Sequence, residues 1–198
     1  MSNRLKKQIN FLLEADKMKN ILRQTLTISD RRRENDAEHS WHFALMAFVL
    51  SEYASEDVDI NRVIKMALVH DLVEIYAGDT YAYDIDNNKS KAEREKSAAD
   101  KLFSMLPDNQ RDEIRGLWEE FDAENTPDAC FAAAIDRLQP MLNNYYTEGQ
   151  SWRNNKVESA FVYKRMEPIR RASERLWQFA ACLIDDAVKK GWIIDSNK

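Results

Sequence analysis

LVHDLVEIYAGDT, residues 68–80, sets one imidazole and three carboxylates into an otherwise apolar run. His70 is one of only three histidines in the chain, and Asp71, Glu74 and Asp79 follow it within nine residues. Ionisable groups in an apolar helix are costly to bury unless something balances their charge. The surrounding residues, INRVIKMALVHDLVEIYA, have helical spacing, with Asp59 placed to cap the start and Gly78 to stop the end.

Working outward, the same helical spacing dominates the chain. Glycine and proline number four each, and β-branched alternation is scarce. The pattern predicts a helix over 3–18 with Ile9, Phe11, Leu12 and Leu13 as its apolar stripe, then a polar segment, RQTLTISDRRREND. A helix capped by Asp36 follows, with Trp41, Leu45, Phe48 and Val49 near an i, i+4, i+7, i+8 pattern. TYAYDIDNNK (80–89) reads as an acidic loop, a solvated lid. Further helices are expected up to Pro107, over 108–121, from Thr126–Pro127 onward, and over 156–166 and 168–189 with Gly191 as a stop. No repeat, linker or composition shift divides the chain. The expectation is all-α: a single domain over 1–198, a helical bundle of about seven to nine helices.

Composition bounds the function. With 44% apolar and 32% charged residues, the 198-residue chain has the balance of a globular protein. A net charge of −5 and a pI near 5.4 argue against nucleic-acid polymers and anionic membranes as partners. They leave room for a small phosphate ligand. Two cysteines, Cys130 and Cys182, make no disulfide framework and read as buried free thiols. MSNRLKKQIN lacks an apolar signal core, and no stretch approaches the ~18 apolar residues of a membrane span, so a cytoplasmic protein is expected.

Two more buried-looking ionisable groups lie far from the opening stretch: His39 in AEHSWHFALM and Asp136 in FAAAIDRLQP. Together with His70 and Asp71 they make a two-His, two-Asp set drawn from three segments. Mixed nitrogen and oxygen donors suit Mn, Co, Zn or Fe(II), and Mg is tolerated by carboxylates. Glu74 follows His70 by four residues, on the same face of a regular helix, where it can take a proton from water activated by the ion. Asp79 follows at the helix end. His42, one turn after His39, reads as packing; the RRR run at 31–33 and the five tryptophans read first as solvated turn and core.

The order H…HD…D formed by His39, His70–Asp71 and Asp136 resembles the metal-binding pattern of the HD-domain phosphohydrolases. ENDAEHS (34–40), VHDLVEIYAGDT (69–80) and AIDRLQPML (134–142) are similar to segments of its 5′-deoxynucleotidase-like branch. That branch dephosphorylates deoxyribonucleoside monophosphates. The resemblance implies an all-α HD domain holding one divalent metal ion through His39, His70, Asp71 and Asp136. Glu74 would then activate water, and Asp79 would contact the sugar or protonate the leaving oxygen. It also implies a nucleotide substrate and a homodimer. Relatives commonly carry Arg followed by Trp before the first His. Here Arg23 is followed by Gln24. Arg23 is therefore the expected phosphate contact, with Arg32 and Arg33 as electrostatic alternatives. Rival readings keep the metal and change the role: a phosphatase or phosphodiesterase for another small phosphate compound, or a non-catalytic metal- and ligand-binding sensor.

Overall fold

The computed structural model describes residues 2–79 and 90–196. The acidic loop expected at 80–89 lies outside the described residues. Among the described residues the regular structure is helical apart from one two-stranded antiparallel sheet. Helix α1 (Asn3–Ala15) and a 3-10 turn (Asp16–Asn20) lead into strands β1 (Leu22–Leu26) and β2 (Arg33–Asn35). Then come α2 (Asp36–Val49), α3 (Ile60–Val69), the short α4 (Glu74–Ala77), α5 (Lys91–Phe103) and α6 (Asp108–Ala123). Helix α7 (Pro127–Tyr146) is the centre of the bundle, followed by α8 (Gln150–Asn154), α9 (Ser159–Arg165), α10 (Glu167–Ala172) and α11 (Glu174–Lys189).

Helix α7 explains its own central place. AxxAAAID (129–136) gives it a smooth face, and Phe131, Ala132, Ala133, Ala134, Ile135 and Leu138 are all buried. Small side chains let α2, α3, α6 and α10 pack closely against it. Thr126 caps it by accepting from the Ala129 N–H, and Pro127 occupies the first turn, where no N–H is needed. Among the described residues no helix is long and apolar enough to cross a membrane.

Several expectations change on contact with tertiary structure. The predicted helix over 60–77 is broken: α3 ends at Val69, and 70–73 tighten through i→i−3 bonds, Leu72 N–H to Val69 and Glu74 N–H to Asp71. The expected C-terminal helix 168–189 is likewise divided at Ser173, which caps α11. These breaks yield more, shorter helices than the seven to nine anticipated. The N-cap of α2 is Asn35, not Asp36; Asn35 and Glu38 form a reciprocal capping box, and Asp36 is fully buried one residue inside.

The segment read only as polar forms the β1–β2 hairpin, closed by the Thr27 N–H to the Arg32 carbonyl, with Arg31 in the left-handed region at φ 55°. On α1 only Phe11 of the expected stripe is buried; Ile9, Leu12 and Leu13 are exposed. On α2 the expected stripe of Trp41, Leu45, Phe48 and Val49 faces outward, and His39, Phe43, Met46 and Ala47 face the core. Both cysteines are free thiols, but Cys130 is only half-buried and Cys182 is exposed.

Candidate metal centre and cleft

The broken helix at His70 sets the site. Its Nδ1 lies 3.0 Å from the Ala67 carbonyl, which can only accept, so the proton sits on Nδ1 and Nε2 faces inward. From α2, the first turn after the capping box brings in His39, whose Nδ1 is 2.9 Å from Gln139 Oε1. Its Nε2 also faces inward, 2.9 Å from Asp136 Oδ1. The two rings pack around Phe43, with centroids 5.2 Å from His70 and 6.2 Å from His39, and Phe121 packs against both His70 at 4.9 Å and Phe43 at 6.3 Å. Aromatic packing and outer hydrogen bonds of this kind fix ring orientation.

Two carboxylates meet the two Nε2 atoms. Asp71 Oδ2 lies 3.0 Å from His70 Nε2 and 3.7 Å from His39 Nε2; Asp136 Oδ1 lies 3.5 Å from His70 Nε2. Donor atoms of His39, His70 and Asp136 all lie within 4.8 Å of one another. The buried Nε2 of His70 makes no hydrogen bond. Two nitrogen lone pairs aimed at two anionic oxygens repel unless a cation or protons stand between them. The set therefore fits a divalent metal ion with nitrogen and oxygen preference.

Around this quartet the charge is lopsided. Arg23 Nη1 lies 2.7 Å from Asp71 Oδ2 and 3.2 Å from Asp36 Oδ1, and its Nε is 3.9 Å from Glu34 Oε2. Arg137 grips the other oxygen of Asp136 and reaches Glu124 at 3.5 Å. Burial would lower the pKa of Arg23, but Asp71, Asp36 and Glu74 hold it well above its ordinary value. Burial followed by repulsion from Asp71 raises Asp36 to about 6. Burial, with Asp71 and Asp36 adding to it, pushes Glu74 well above the usual carboxylate range. Asp79 is raised chiefly by burial. Asp136 moves the opposite way, because Arg137 and His39 outweigh its burial.

The 3-10 tightening also decides where Glu74 points. In such a turn residues i and i+3 eclipse, so Glu74 stands over Asp71 rather than over His70 as a regular helix would place it. Asp36, Asp71 and Glu74 accordingly form a second cluster with oxygens within 4.8 Å of one another. One Glu74 oxygen is buried without a partner. All of this opens into a cleft of about 1100 Å³, solvent space included, lined among others by Arg23, His70, Asp71, Glu74, Asp79 and Asp136.

A family model described as HD domain matches residues 15–177. The chain belongs to the HD domain family. A crystal structure of a predicted metal-dependent phosphohydrolase from Magnetospirillum magnetotacticum MS-1 is similar to this HD domain at 51% identity. It covers 96% of this chain and 95% of its own, with a TM-score of 0.92. The 5′-deoxynucleotidase HDDC2 of Danio rerio is 29% identical over 134 residues, 67% of this chain and 64% of its own length. That of Xenopus laevis is 34% identical over 111 residues, 55% of this chain and 53% of its own. The chain thus spans between about half and two thirds of the curated relatives it matches.

Of the residues singled out from sequence, the HD domain brings His39, His70, Asp71 and Asp136 together and seats Arg23, Glu74 and Asp79 along the same cleft. Arg32 and Arg33 do not line it. Arg32 is exposed and bound to Glu38 and Asp30, consistent with a solvated turn. Arg33 donates to the Arg23 carbonyl at 2.6 Å, so it braces the strand carrying Arg23. His42 is half-buried beside Gln139, 3.2 Å from its amide, away from the quartet.

Five supporting residues do not stand out in the sequence: Glu34, Asp36, Arg137, Gln139 and Asn143. Gln139 links His39 to Glu34, and Asn143 donates to the same Glu34 oxygen. Asp36 has the sequence position of a cap but is buried against Arg23, and Arg137 holds Asp136. The signal was present as polar residues on the buried face of α7 at 136, 139 and 143, spaced i, i+3, i+7.

Proposed function

We propose that this chain is one HD-type phosphohydrolase domain that releases phosphate from nucleoside 5′-monophosphates, deoxynucleotides foremost. The observation that supports the reading is the meeting of His39, His70 and Asp136 donors within 4.8 Å of one another, with Asp71 Oδ2 3.0 Å from His70 Nε2 and 3.7 Å from His39 Nε2 and Glu74 buried beside them on an open cleft. The four would hold one divalent ion, Mn, Co, Zn, Fe(II) or Mg. When bound, such an ion supplies positive charge that polarises a phosphoryl oxygen and lowers the proton affinity of nearby water and carboxylates.

The chain's own residues supply the remainder. Arg23, held above the centre by Asp71 and Asp36, is placed to take phosphoryl oxygens. Glu74, with one unpartnered oxygen, accepts the proton of the attacking water. Asp79, raised by burial and set at the cleft mouth, gives a proton to the leaving 5′ oxygen. Phe43 and Phe121 keep the imidazole side of the site dry. Relatives named 5′-deoxynucleotidase support the choice of substrate. The reading also places the protein in the cytoplasm as a homodimer. Exposed apolar side chains on α2, Trp41, Leu45, Phe48 and Val49, support a protein partner for that face of the helix.

The test is phosphate release from a panel of ribo- and deoxyribonucleoside monophosphates with Mn, Co or Mg added. Release is expected from at least one of them and is expected to vanish in Glu74→Gln while metal content stays at the wild-type level. Release that survives in Glu74→Gln removes its assigned role. Silence across the whole panel removes the substrate class.

A further inference from the structure

Helix α7 carries a stripe of cleft-lining residues: Asp136, Arg137, Pro140, Met141 and Asn144. At 1.5 Å per residue, the step from Asp136 to Asn144 covers about 12 Å along the axis. That matches the reach from a 5′-phosphate to the outer edge of its base. Asp136, beside His39 and His70, lies at one end of the stripe.

At the other end the chain folds back sharply. The Thr147 hydroxyl donates to the Asn143 carbonyl at 2.7 Å, and the Gly149 N–H donates to the Asn144 carbonyl at 2.8 Å. Gly149 sits at φ 64°, and a Cβ there would lie 2.6 Å from Trp192 Cβ and 3.4 Å from the Trp152 ring. The turn is thus built for glycine and sets Trp152 of α8 against the cleft.

Among the described residues, two buried polar atoms at this end have no partner. Trp152 is 1% exposed and its Nε1 makes no hydrogen bond; Asn144 is 8% exposed and its Oδ1 makes none. Buried indole N–H groups ordinarily find an acceptor, and a buried orphan is costly. The pair is a poor phosphate site, because an amide oxygen repels an anion. One donor and one acceptor, in a cleft whose lining also includes Trp118, Met141 and Met166, suit a flat neutral ring with a polar edge.

We propose that Trp152 Nε1 and Asn144 Oδ1 bind the edge of a nucleobase. The indole donates to a ring nitrogen or carbonyl of the base, and the amide oxygen accepts from its N–H. This rests on the nucleotide reading above and adds where the base is held and by which atoms.

Calorimetric titration of the 198-residue chain with thymidine, 2-deoxyribose and inorganic phosphate tests it without turnover. Thymidine is expected to bind at least about ten-fold more tightly than 2-deoxyribose. Asn144→Leu and Trp152→Phe are each expected to weaken thymidine about ten-fold and leave the phosphate constant unchanged. Equal affinity for thymidine and 2-deoxyribose in the unaltered protein overturns the proposal, whether or not either variant folds. Equal weakening of thymidine and phosphate in a folded variant overturns it too. Base-dependent binding without hydrolysis of any monophosphate would remove the catalytic reading and leave this site standing. Hydrolysis without base-dependent binding would remove this site alone.

Discussion

Treated with a chelator, the site is expected to hold a proton where a cation would bind, and stability then depends on pH in a definite direction. Burial alone would lower the pKa of His70. Asp71 and Asp136 outweigh it and raise the group to about 10, from 6.5 in the unfolded chain. A cationic group raised on folding contributes fully below its unfolded pKa and loses that contribution as pH climbs through its folded one. The window is therefore 6.5 to about 10. At about 1.36 kcal/mol per pH unit, the contribution is bounded at roughly 5 kcal/mol. Glu74, also raised, loses stabilisation in the same direction with rising pH. In a chain of this size each kcal/mol moves Tm by about 2–4 °C, so a fall on the order of 10 °C is expected across the window. The assay is thermal unfolding by circular dichroism in EDTA from pH 6 to 10, repeated with excess Mn or Zn. Metal keeps His70 deprotonated, so the loaded protein should show a flatter profile. A metal-free profile that is level or rising between pH 6.5 and 10 would refute the reasoning.

Replacing Arg23 with Ala strips Asp71 and Asp36 of their shared partner. Michaelis constants for phosphate substrates should rise at least about ten-fold, and the metal-free protein should lose about 3–5 kcal/mol of stability, the usual cost of breaking a buried pair. Steady-state kinetics beside urea unfolding read both, and an unchanged Michaelis constant would move the phosphate role elsewhere. Changing Trp41 and Phe48 together to Ser should convert a dimer to a monomer in sedimentation with the fold intact; an unaltered sedimentation coefficient would clear that face of the role.

How far the sequence could be read differs from element to element. Caps were legible wherever a side chain and its own backbone decide the matter, as at Asp59 and Thr126. The face of α2 was not, because HSWHFALMAFVL is apolar nearly all round and periodicity cannot choose between two apolar faces. Only packing against α3 and α7 selects the side bearing Phe43 and Ala47. The β1–β2 hairpin was hidden by its short, charged strands, whose register includes an irregularity between Leu22 and Leu26. At the site, His39, His70, Asp71 and Asp136 stood out because such groups are rare in apolar helices. Glu34, Asp36 and Gln139 did not, since their parts depend on partners about a hundred residues away or, for Asp36, on Arg23 of strand β1. The tightened turn at 70–73 was invisible for a related reason. Local propensity there favours a continuous helix, and only tertiary structure breaks it.

The most direct measurement is metal content of the purified protein and two single variants by elemental analysis. One divalent ion per chain is expected in the unaltered protein, with loss of loading in both His70→Ala and Asp136→Ala. Full occupancy in either folded variant would contradict a single ion held jointly by the imidazoles and carboxylates of three chain segments.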